Sequence, residues 1–406
     1  MVDHSLSILY YSGDRGLDLT KGEGYRIHVL KILENLERLG HRTFLLTVND
    51  SNTLPDIPRY HCVPHRYMRG VHRLFPYTGT LDSLHMYRAA VRLHEEHQFD
   101  VIHERFGLYS YGAVLASVQL GIPLVLEVNG PTIEEKQLFT TAITGAQLWA
   151  ARLIRDQCAR QAARIFVVSS VLKRFLLKHW KHADEARISV LPNAADVDRL
   201  GHPEDVAGLR AQLGFQDACI VGFLGTFQPW YGLENLIEAF ALVAQQAPQA
   251  RLLMVGDGLV RSDLEKQVRA AGLEDVVLFT GYVSHHEVPR YLGCFDIAVA
   301  AFRELDIDFC GSPIKLFEYM AARRAIVASD IGQIPEVVTH EQDALLVKPG
   351  DIPQLADAIV RLVYDPDLRT RLGDAAYVEG QQYSWEVYAE QLVDIYRGAK
   401  EEHVPE

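Results

Sequence analysis

The first half of the chain alternates short apolar runs with longer segments in which apolar residues recur every three or four positions. Short apolar runs predict buried strands, and the longer spacing predicts amphipathic helices. Strands that alternate with helices imply a parallel sheet covered on both faces. The predicted strands are 7–13, 41–48, 99–104, 122–130 and 164–170, and the predicted helices are 26–40, 84–97, 111–121 and about 132–163.

The same alternation restarts in the second half, after a polar stretch at 200–217 that we interpret as a linker. Two doubly wound α/β domains in tandem are therefore expected, with a cleft lined by the carboxyl ends of both sets of strands. The second set of predicted strands is 218–226, 251–258, 276–283, 295–302, 324–329 and 344–350, and its helices are 233–246, 261–272, 315–322, 353–364 and 367–377.

Length and composition agree with two domains and exclude several classes of protein. The 406 residues are too many for one ordinary core, and 48% hydrophobic with 23% charged residues is typical of a soluble globular enzyme. No apolar run approaches the roughly 20 residues that cross a bilayer, and the N-terminus does not resemble a signal peptide. The five cysteines lack Cys-x-x-Cys spacing, so the sequence predicts neither disulfides nor a zinc site, and a cytoplasmic location follows.

The net charge of −13 is distributed unevenly. Residues 1–200 carry 24 basic and 21 acidic residues, a charge of +3, whereas 201–406 carry 16 and 32, a charge of −16. The two halves therefore have different electrostatic tasks. The acidic total argues against a nucleic-acid partner, because such a protein needs a basic surface to neutralise phosphates.

The most informative segment is CGSPIKLFEYMA, which begins at Cys310. Pro313 suits the first turn of a helix, and a helix N-terminus offers unpaired N–H groups to a phosphate. Lys315 adds a full positive charge, and Glu318 lies one turn further on the same face. A carboxylate there can accept two hydrogen bonds from a ribose diol. The alternative is an ordinary amphipathic helix with solvated charges.

Several segments together resemble the family 4 glycosyltransferases, which have the two-domain GT-B fold. The donor-binding signature is SPIKLFEYMA with VAS and GQIPEVV after it. Segments 188–197, 222–240, 252–265 and 277–302 match in the family's order, and GEGYRIHVLKILENLERLGH and GIPLVLEVNG fit more weakly. The resemblance implies an acceptor domain at 1–200, a donor domain at 201–382, and a C-terminal segment, 383–406, that packs back on the first domain.

The resemblance also implies a retaining transfer of a hexose-type sugar from a nucleotide-diphosphate sugar, with no obligatory metal or other cofactor. The base would be uridine rather than guanosine, and the acceptor a glycan, a lipid-linked molecule or a small molecule. Glu318 would bind the ribose, Tyr282 and Val283 the base, and Gly22 to Gly24 would close over the diphosphate. Further donor contacts are implied for Gly225, Thr226, Asp257, Gly258, Gly311, Ser312, Pro313, Ile314, Lys315 and Leu316.

Three departures from the family pattern shape the expectations. The family's first Glu falls on Cys310, so Glu304, Asp306 and Asp308 become candidates for the missing sugar contact. The usual Arg and Lys of the glycine loop fall on Thr226 and Tyr231. Because an uncompensated diphosphate is costly in a cleft, we expect Lys315 and the helix dipole to replace them.

The third departure is Asn129, which stands where the family often has His. An amide can hydrogen-bond a sugar hydroxyl but cannot serve as a general base. Glu104, in His103-Glu104-Arg105, is the remaining catalytic candidate, and an interdomain salt bridge is its alternative. Trp230 and Tyr231 are expected either to stack on a sugar or to pack their own turn.

The basic segment 59–73 could contact an anionic acceptor or the inner membrane surface, against the alternative of a solvated loop. Three Asp-x-Asp matches in one acidic chain, and His94-Glu-Glu-His97 with its wrong spacing, do not indicate a metal site. Two alternatives to a transferase remain: a non-catalytic nucleotide-sugar-binding relative of the same fold, and a nucleotide-sugar epimerase.

Overall fold

The computed structural model describes residues 5–13, 24–48, 59–63, 78–139, 143–304 and 308–403. The chain divides into two compact units. Unit 1 comprises 1–192 and 385–406, and unit 2 comprises 193–384.

Unit 1 is built on one parallel sheet of seven strands in the order β3-β2-β1-β4-β5-β6-β7. The strand β1 pairs with both β2 and β4, so the strand order reverses beside it. The strands are β1 (Ser7–Ser12), β2 (Arg42–Thr47), β3 (Tyr60–Cys62), β4 (Val101–Arg105), β5 (Leu124–Val128), β6 (Arg164–Val167) and β7 (Ile188–Val190), and the helices are α1 (Gly24–Arg38), α2 (Thr78–His97), α3 (Gly112–Leu120), α4 (Thr132–Phe139), α5 (Gly145–Gln161) and α6 (Ser170–His179).

Unit 2 has a parallel sheet of six strands in the order β10-β9-β8-β11-β12-β13, and it reverses beside β8. Apolar side chains from both faces of the sheet form two clusters beneath its helices. The strands are β8 (Cys219–Leu224), β9 (Ala250–Val255), β10 (Val277–Gly281), β11 (Ile297–Ala300), β12 (Ala325–Ser329) and β13 (Leu345–Val347), and the helices are α7 (Val197–Gly201), α8 (Val206–Gln212), α9 (Leu233–Gln246), α10 (Arg261–Ala270), α11 (Val288–Cys294), α12 (Ile314–Ala321), α13 (Ile334–Val337), α14 (Ile352–Tyr364) and α15 (Pro366–Gly380).

The last helix, α16 (Trp385–Glu402), belongs to unit 1. Its buried face includes Trp385, Tyr388 and Tyr396, and it packs along α1. Two 3₁₀ turns, at Glu185–Arg187 and Gln381–Tyr383, complete the described secondary structure.

Three expectations from the sequence differ from the structure. The interpretation of 200–217 as a linker is wrong, because α7 and α8 occupy much of it. The helix expected over about 132–163 is two helices, α4 and α5. Unit 2 begins at Asn193 rather than near 201, because the Asn193 side-chain amide donates to the carbonyl of Ser312 at 2.6 Å and the Ala195 N–H donates to the carbonyl of Tyr383 at 2.9 Å.

Candidate functional site

Glycines at the carboxyl ends of β8 and β9 let three backbone segments of unit 2 approach one another closely. Gly225 and Gly256 have φ of 137° and 135°, which side chains rarely tolerate. A Cβ on Gly256 would lie 2.0 Å from the Gly225 carbonyl oxygen, and one on Gly258 would lie 2.5 Å from the backbone of Phe227. The backbone at Gly225, Gly256 and Gly258 therefore forms a surface without side chains, which we call the glycine floor. It lies beside the point where the strand order reverses, and folds of this kind bind ligands there.

Lys315, in the first turn of α12, places its ammonium over this floor. Its Nζ lies 3.3 Å from the centre of the Tyr231 ring and 4.3 Å from that of Phe223. A Cβ on Gly225 would lie 3.2 Å from the same atom. The lysine is buried, and its Nζ has no hydrogen-bond partner among the described residues. Aromatic faces attract the cation, but they do not replace the hydrogen bonds it loses.

Burial lowers the pKa of Lys315 to about 7, although the nearby Glu318 carboxylate opposes this shift. Burial likewise raises the pKa of Glu318 to about 7, against the opposing effect of Lys315 and Arg199. Each group is therefore close to losing its charge at neutral pH. An anion next to Lys315 would restore the charged ammonium, since an opposite charge favours the ionised form.

Arg199, on α7, is the second cation near Glu318. Its guanidinium donates to the backbone oxygen of His285 at 2.7 Å and lies 3.0 Å from the His285 ring nitrogen Nδ1. The arginine thus links Glu318 to the segment that follows β10. Sequence reasoning missed Arg199, because it lies over a hundred positions before the motif of α12.

The loop before α12 is fixed by Asn193. The Asn193 N–H donates to Ser312 Oγ at 3.0 Å. Pro313 is the residue before the helix, with an extended ψ of 109°, so the expectation that it lies in the first turn is wrong.

The expected donor contact of Leu316 needs correction. The Leu316 side chain lies in the core of unit 2, and its N–H donates to the carbonyl of Pro313 at 2.9 Å. Ile314 begins the helix and is half-buried, and Gly311 lies against the Phe309 ring.

The segments after β9 and β10 contain the residues expected at the base. Tyr282 is 65% exposed, and Val283 is half-buried. Asp257 is exposed and forms an ion pair of 2.7 Å with Arg261, and one of its oxygens accepts the N–H of Gly258 at 2.8 Å. Thr226 is also exposed, directly after Gly225.

The residues proposed to replace the family's first Glu precede α12 in the chain. Cys310 is buried, whereas Glu304 and Asp308 are exposed. Asp306 lies outside the described residues. Tyr231 packs edge-on against Phe223 and Phe302, so its ring serves the packing of its own turn and also faces Lys315.

Unit 1 contains a buried network around Glu127 of β5. Tyr10 donates to Glu127 Oε2 at 2.9 Å, and the His103 ring nitrogen Nε2 lies 2.9 Å from the same oxygen. The Arg105 guanidinium and the Asn129 side-chain amide donate to Oε1. Burial alone would raise the pKa of Glu127, but Arg105, His28 and His103 outweigh it and hold the pKa well below its usual value.

The network extends to the last helix of the chain. The Tyr396 hydroxyl lies 2.7 Å from His103 Nδ1, and the Tyr388 hydroxyl lies 3.4 Å from His28 Nε2. Burial lowers the pKa of His28 to about 3, so this imidazole is neutral at pH 7 despite its carboxylate neighbour. Sequence reasoning missed Glu127 and His28. The one available signal was Glu127, a charged residue inside the apolar run of β5.

Asn129 lies directly after β5, half-buried, where the sequence placed it. A carboxylate only accepts hydrogen bonds, so Glu127 holds the NH₂ group of Asn129 toward the network. The amide carbonyl oxygen consequently points the other way and is available as an acceptor for a hydroxyl.

Glu104 requires a correction. It was a catalytic candidate, but it lies within β4, completely buried, and accepts a hydrogen bond from Ser110 Oγ at 2.7 Å. Burial raises its pKa to about 8, so it is protonated at neutral pH. His103 and Arg105 point to Glu127 instead, because alternate residues of a strand face opposite sides. The alternative for this segment was an interdomain salt bridge; Arg105 instead forms an ion pair with Glu127, within unit 1.

Gly24 is the first residue of α1, and Gly22 lies outside the described residues. Of the basic segment 59–73, only 59–63 are described. Among the described residues, no group of three His, Cys, Asp or Glu side chains is placed to hold a metal ion. The same part of the chain contains no helix that is both long and apolar enough to span a bilayer.

Comparison with known proteins identifies the family. Residues 218–365 match the group 1 glycosyl transferases, and residues 23–194 match the glycosyl transferase 4-like domain. The α-D-kanosaminyltransferase of Streptomyces kanamyceticus is 29% identical over 72% of this chain and 74% of its own length. A D-inositol 3-phosphate glycosyltransferase of a Nocardioides species is 28% identical over 75% of this chain and 68% of its own.

Among solved structures, that of Anabaena HepE in complex with UDP and glucose is similar to this chain over 96% of this chain and 98% of its own, with a TM-score of 0.75 and 21% identity. At that identity the likeness establishes the fold. Sequence motifs, family matches and fold agree, and the chain belongs to the group 1 glycosyltransferases with the GT-B fold.

Proposed function

We propose that this glycosyltransferase moves a hexose-type sugar, with retention, from a nucleotide-diphosphate sugar to an acceptor hydroxyl, and that UDP is the preferred carrier. The observation that carries the proposal is the buried ammonium of Lys315, which has no hydrogen-bond partner among the described residues and stands over the glycine floor of unit 2. A buried cation without a partner is costly, and a diphosphate would supply the missing charge and acceptors.

The other donor contacts follow from the position of the diphosphate. Glu318 lies one helical turn beyond Lys315. Its carboxylate would accept hydrogen bonds from both hydroxyls of the ribose diol. Tyr282 is an exposed ring in the segment after β10 and would face the base together with the backbone of Val283. The close-packed main chain at Gly225 and Gly258 would admit the phosphates, since a side chain there would occupy their space.

In the proposed reaction, the acceptor oxygen bonds to the anomeric carbon while the bond from that carbon to the β-phosphate oxygen breaks. The proton of the acceptor hydroxyl passes to the departing phosphate, so the protein need not supply a general base. Lys315 then stabilises the negative charge that develops on the diphosphate. Because the pKa of Lys315 without ligand is about 7, the neutral amine would take up a proton when the diphosphate binds and so become the ammonium.

Asn129 has a supporting role in unit 1. Because Glu127 fixes its amide, the carbonyl oxygen of Asn129 would accept a hydrogen bond from a sugar or acceptor hydroxyl. Glu104 is not part of the proposed set, since its carboxyl is enclosed in the interior of unit 1.

For the acceptor, we favour a small polar molecule. The names of the two relatives describe transfer of kanosamine and transfer to inositol 3-phosphate, and these names support a small-molecule acceptor by similarity. We further propose that no metal is obligatory, because Lys315 and the N-terminus of α12 would neutralise the diphosphate.

The test is a thermal-shift panel with UDP, GDP, ADP, TDP and CDP on the wild type, Lys315→Ala and Glu318→Ala. A ligand stabilises the form that it binds, by about 2.7 kcal/mol at a hundredfold excess over its Kd. We expect UDP to raise the Tm of the wild type and to have little effect on either variant. The panel is run in EDTA, and added Mg²⁺ should change nothing.

Lys266→Ala is the matched control, because Lys266 is an exposed lysine of the same unit whose charge is paired with Asp263. It should respond to UDP as the wild type does. If GDP alone stabilises the wild type, GDP is the carrier in place of UDP, and the assignment of the donor site still holds. If no diphosphate stabilises the wild type at millimolar concentration, the donor-site assignment is wrong.

A further inference from the structure

A separate pocket lies at the outer edge of the sheet of unit 1, where β2 and the edge strand β3 meet the end of α2. Its volume is about 310 Å³, and the described residues that line it are Arg42, Phe44, Arg59, His61, Leu93 and His97. Pockets that hold small molecules begin at about this size. The sequence singled out the start of this region, at Arg59, only as part of a basic segment.

The floor of the pocket is aromatic and rigid. Phe44 is only 5% exposed, and the His97 ring stacks on it with the ring centres 4.4 Å apart and the planes 27° apart. The Arg59 guanidinium lies over the same phenyl ring, 5.3 Å from its centre. The stacking holds both basic groups beside the cavity.

The described part of the lining is basic. Four of its six residues are Arg or His, and none of these six is acidic. The neighbouring carboxylates stand outside this set: Glu37 lies 3.5 Å from the Arg59 guanidinium, and Glu96 lies 3.8 Å from His97 Nε2. One nitrogen of Arg42 donates to the His97 carbonyl at 3.3 Å, which fixes that guanidinium at the mouth.

Arg59 adopts an unusual backbone conformation. Its φ is +65°, in the left-handed region that favours glycine. Its carbonyl nevertheless accepts the N–H of Leu45 at 3.3 Å, which ties the residue to β2. Unfavourable backbone geometry persists where the surroundings impose it, and here it presents a guanidinium to the pocket.

The pocket is distinct from the candidate site. Arg42 is the first residue of β2, and His61 of β3 pairs with Leu46 of β2, so the pocket lies along the outer edge of the sheet. Asn129 follows β5, and β1 and β4 stand between β2 and β5 in the sheet. Three strand spacings separate β2 from β5 by about 14 Å.

We propose that this pocket binds a phosphoryl group, as a phosphomonoester or phosphodiester. The two guanidiniums supply positive charge and hydrogen-bond donors of the kind that bind phosphate, and the two imidazoles add ring nitrogens to the lining. The group has two sources, a free phosphorylated metabolite and the headgroup of an anionic lipid. Both supply the same chemistry, and the proposal does not depend on the nucleotide site of unit 2.

The experiment compares the wild type with an Arg42→Gln/Arg59→Gln double variant. Isothermal titration with sn-glycerol 3-phosphate tests the free source. Sedimentation with phosphatidylglycerol vesicles, against phosphatidylcholine vesicles, tests the lipid source. The expected result is binding by the wild type and a loss of about tenfold or more in the double variant, because charge-assisted hydrogen bonds are lost.

Two controls separate a specific pocket from general charge. Arg152→Gln/Arg174→Gln removes two exposed arginines from other helices of the same unit, and should bind as the wild type does. Lys315→Met removes the candidate phosphate site of unit 2, and should also leave this binding unchanged. Circular dichroism and melting verify that each variant is folded.

Binding of glycerol phosphate alone identifies a free phosphoester, and sensitivity of vesicle binding to the double variant identifies a lipid headgroup. The proposal is overturned if the wild type binds neither probe, or if the folded Arg42→Gln/Arg59→Gln variant binds both with undiminished affinity. Failure of the nucleotide panel would leave this result unaffected, since the two experiments use different sites and ligands.

Discussion

Each unit buries a charged side chain, Glu127 in unit 1 and Lys315 in unit 2, and the two differ in their hydrogen-bond partners. In unit 1, the Glu127 carboxylate is surrounded by Tyr10, His103, Arg105 and Asn129, which satisfy both of its oxygens. In unit 2, the Lys315 ammonium meets two aromatic rings and has no hydrogen-bond partner among the described residues.

The pKa shifts show the same contrast. Burial penalises both charges, but for Glu127 the effects of Arg105, His28 and His103 outweigh burial and keep the carboxylate ionised. For Lys315 burial prevails over the single carboxylate of Glu318, and the ammonium is easily lost. A saturated charge can only position its neighbours, whereas an unsaturated one retains its capacity to bind. These surroundings support a structural role for Glu127 and the proposed ligand-binding role for Lys315.

The largest expected effect comes from removing the saturated charge. Glu127→Ala leaves Arg105 buried without its carboxylate, and breaking such a pair costs about 3–5 kcal/mol in the free energy of unfolding. Urea titration measures this cost. Where the variant remains folded, its affinity for UDP should match the wild type.

Glu34→Ala is the control, because Glu34 is an exposed carboxylate of the same unit that pairs with Lys31 and Arg38. Exposed pairs of this kind contribute about 1 kcal/mol or less. If Glu127→Ala were no more destabilising than Glu34→Ala, the description of Glu127 as a structural hub would fail.

Removing the unsaturated charge should have the opposite effect on stability. Lys315→Met keeps the length of the side chain but removes a desolvated cation, so the free energy of unfolding should rise by about 1–3 kcal/mol. UDP affinity should fall by about a hundredfold, the value of one or two charge-assisted hydrogen bonds. Urea titration and calorimetric UDP binding measure the two quantities on the same sample.

The control for this variant is Lys266→Met, which should change neither quantity, since Lys266 is exposed and paired with Asp263. A Lys315→Met protein that is less stable than the wild type and binds UDP normally would show that Lys315 has a structural role, and the contrast with Glu127 would disappear.

The smallest expected effect is a pH dependence of UDP binding. The Lys315 pKa of about 7 means that the cation is lost as the pH rises above neutrality, so affinity should fall by up to about tenfold per pH unit. The Glu318 pKa of about 7 means that the carboxylate is lost as the pH falls, which weakens ribose binding. Affinity should therefore be greatest near neutral pH.

Calorimetry in buffers of different ionisation enthalpy sharpens this prediction. Above neutral pH, binding should take up close to one proton per UDP, because the diphosphate raises the pKa of Lys315. The uptake should be absent in Lys315→Met. A flat affinity between about pH 6 and about pH 9 would contradict the assignment of both groups.

Much of the fold was predictable from local pattern. The apolar runs located strands β1, β4, β5, β8 and β9 within a few residues, because a strand buried on both faces has a distinctive composition. Helix boundaries were less accurate. Local periodicity continued across the gap between α4 and α5, and Pro313 lies before α12 because Asn193 fixes the preceding loop.

The candidate site was predictable where its residues are close in sequence. Lys315 and Glu318 stand three positions apart, so the helix that joins them also places them together. Arg199 joins the same site from a helix over a hundred positions earlier, and no local signal reveals that. Glu104 illustrates the converse, because the sequence made it a catalytic candidate, whereas the structure buries it within β4, where it accepts a hydrogen bond from Ser110.

The sequence by itself determined two doubly wound units, the family, and the helix that carries Lys315 and Glu318, because periodicity and short motifs act over a few residues. Only the tertiary structure decided which charges are satisfied. Glu127 gains donors from β1, β4 and the segment after β5, and Lys315 gains aromatic neighbours from β8 and the turn after it. The free energy of a buried charge depends on neighbours brought from distant positions, and that information exists only after the chain has folded.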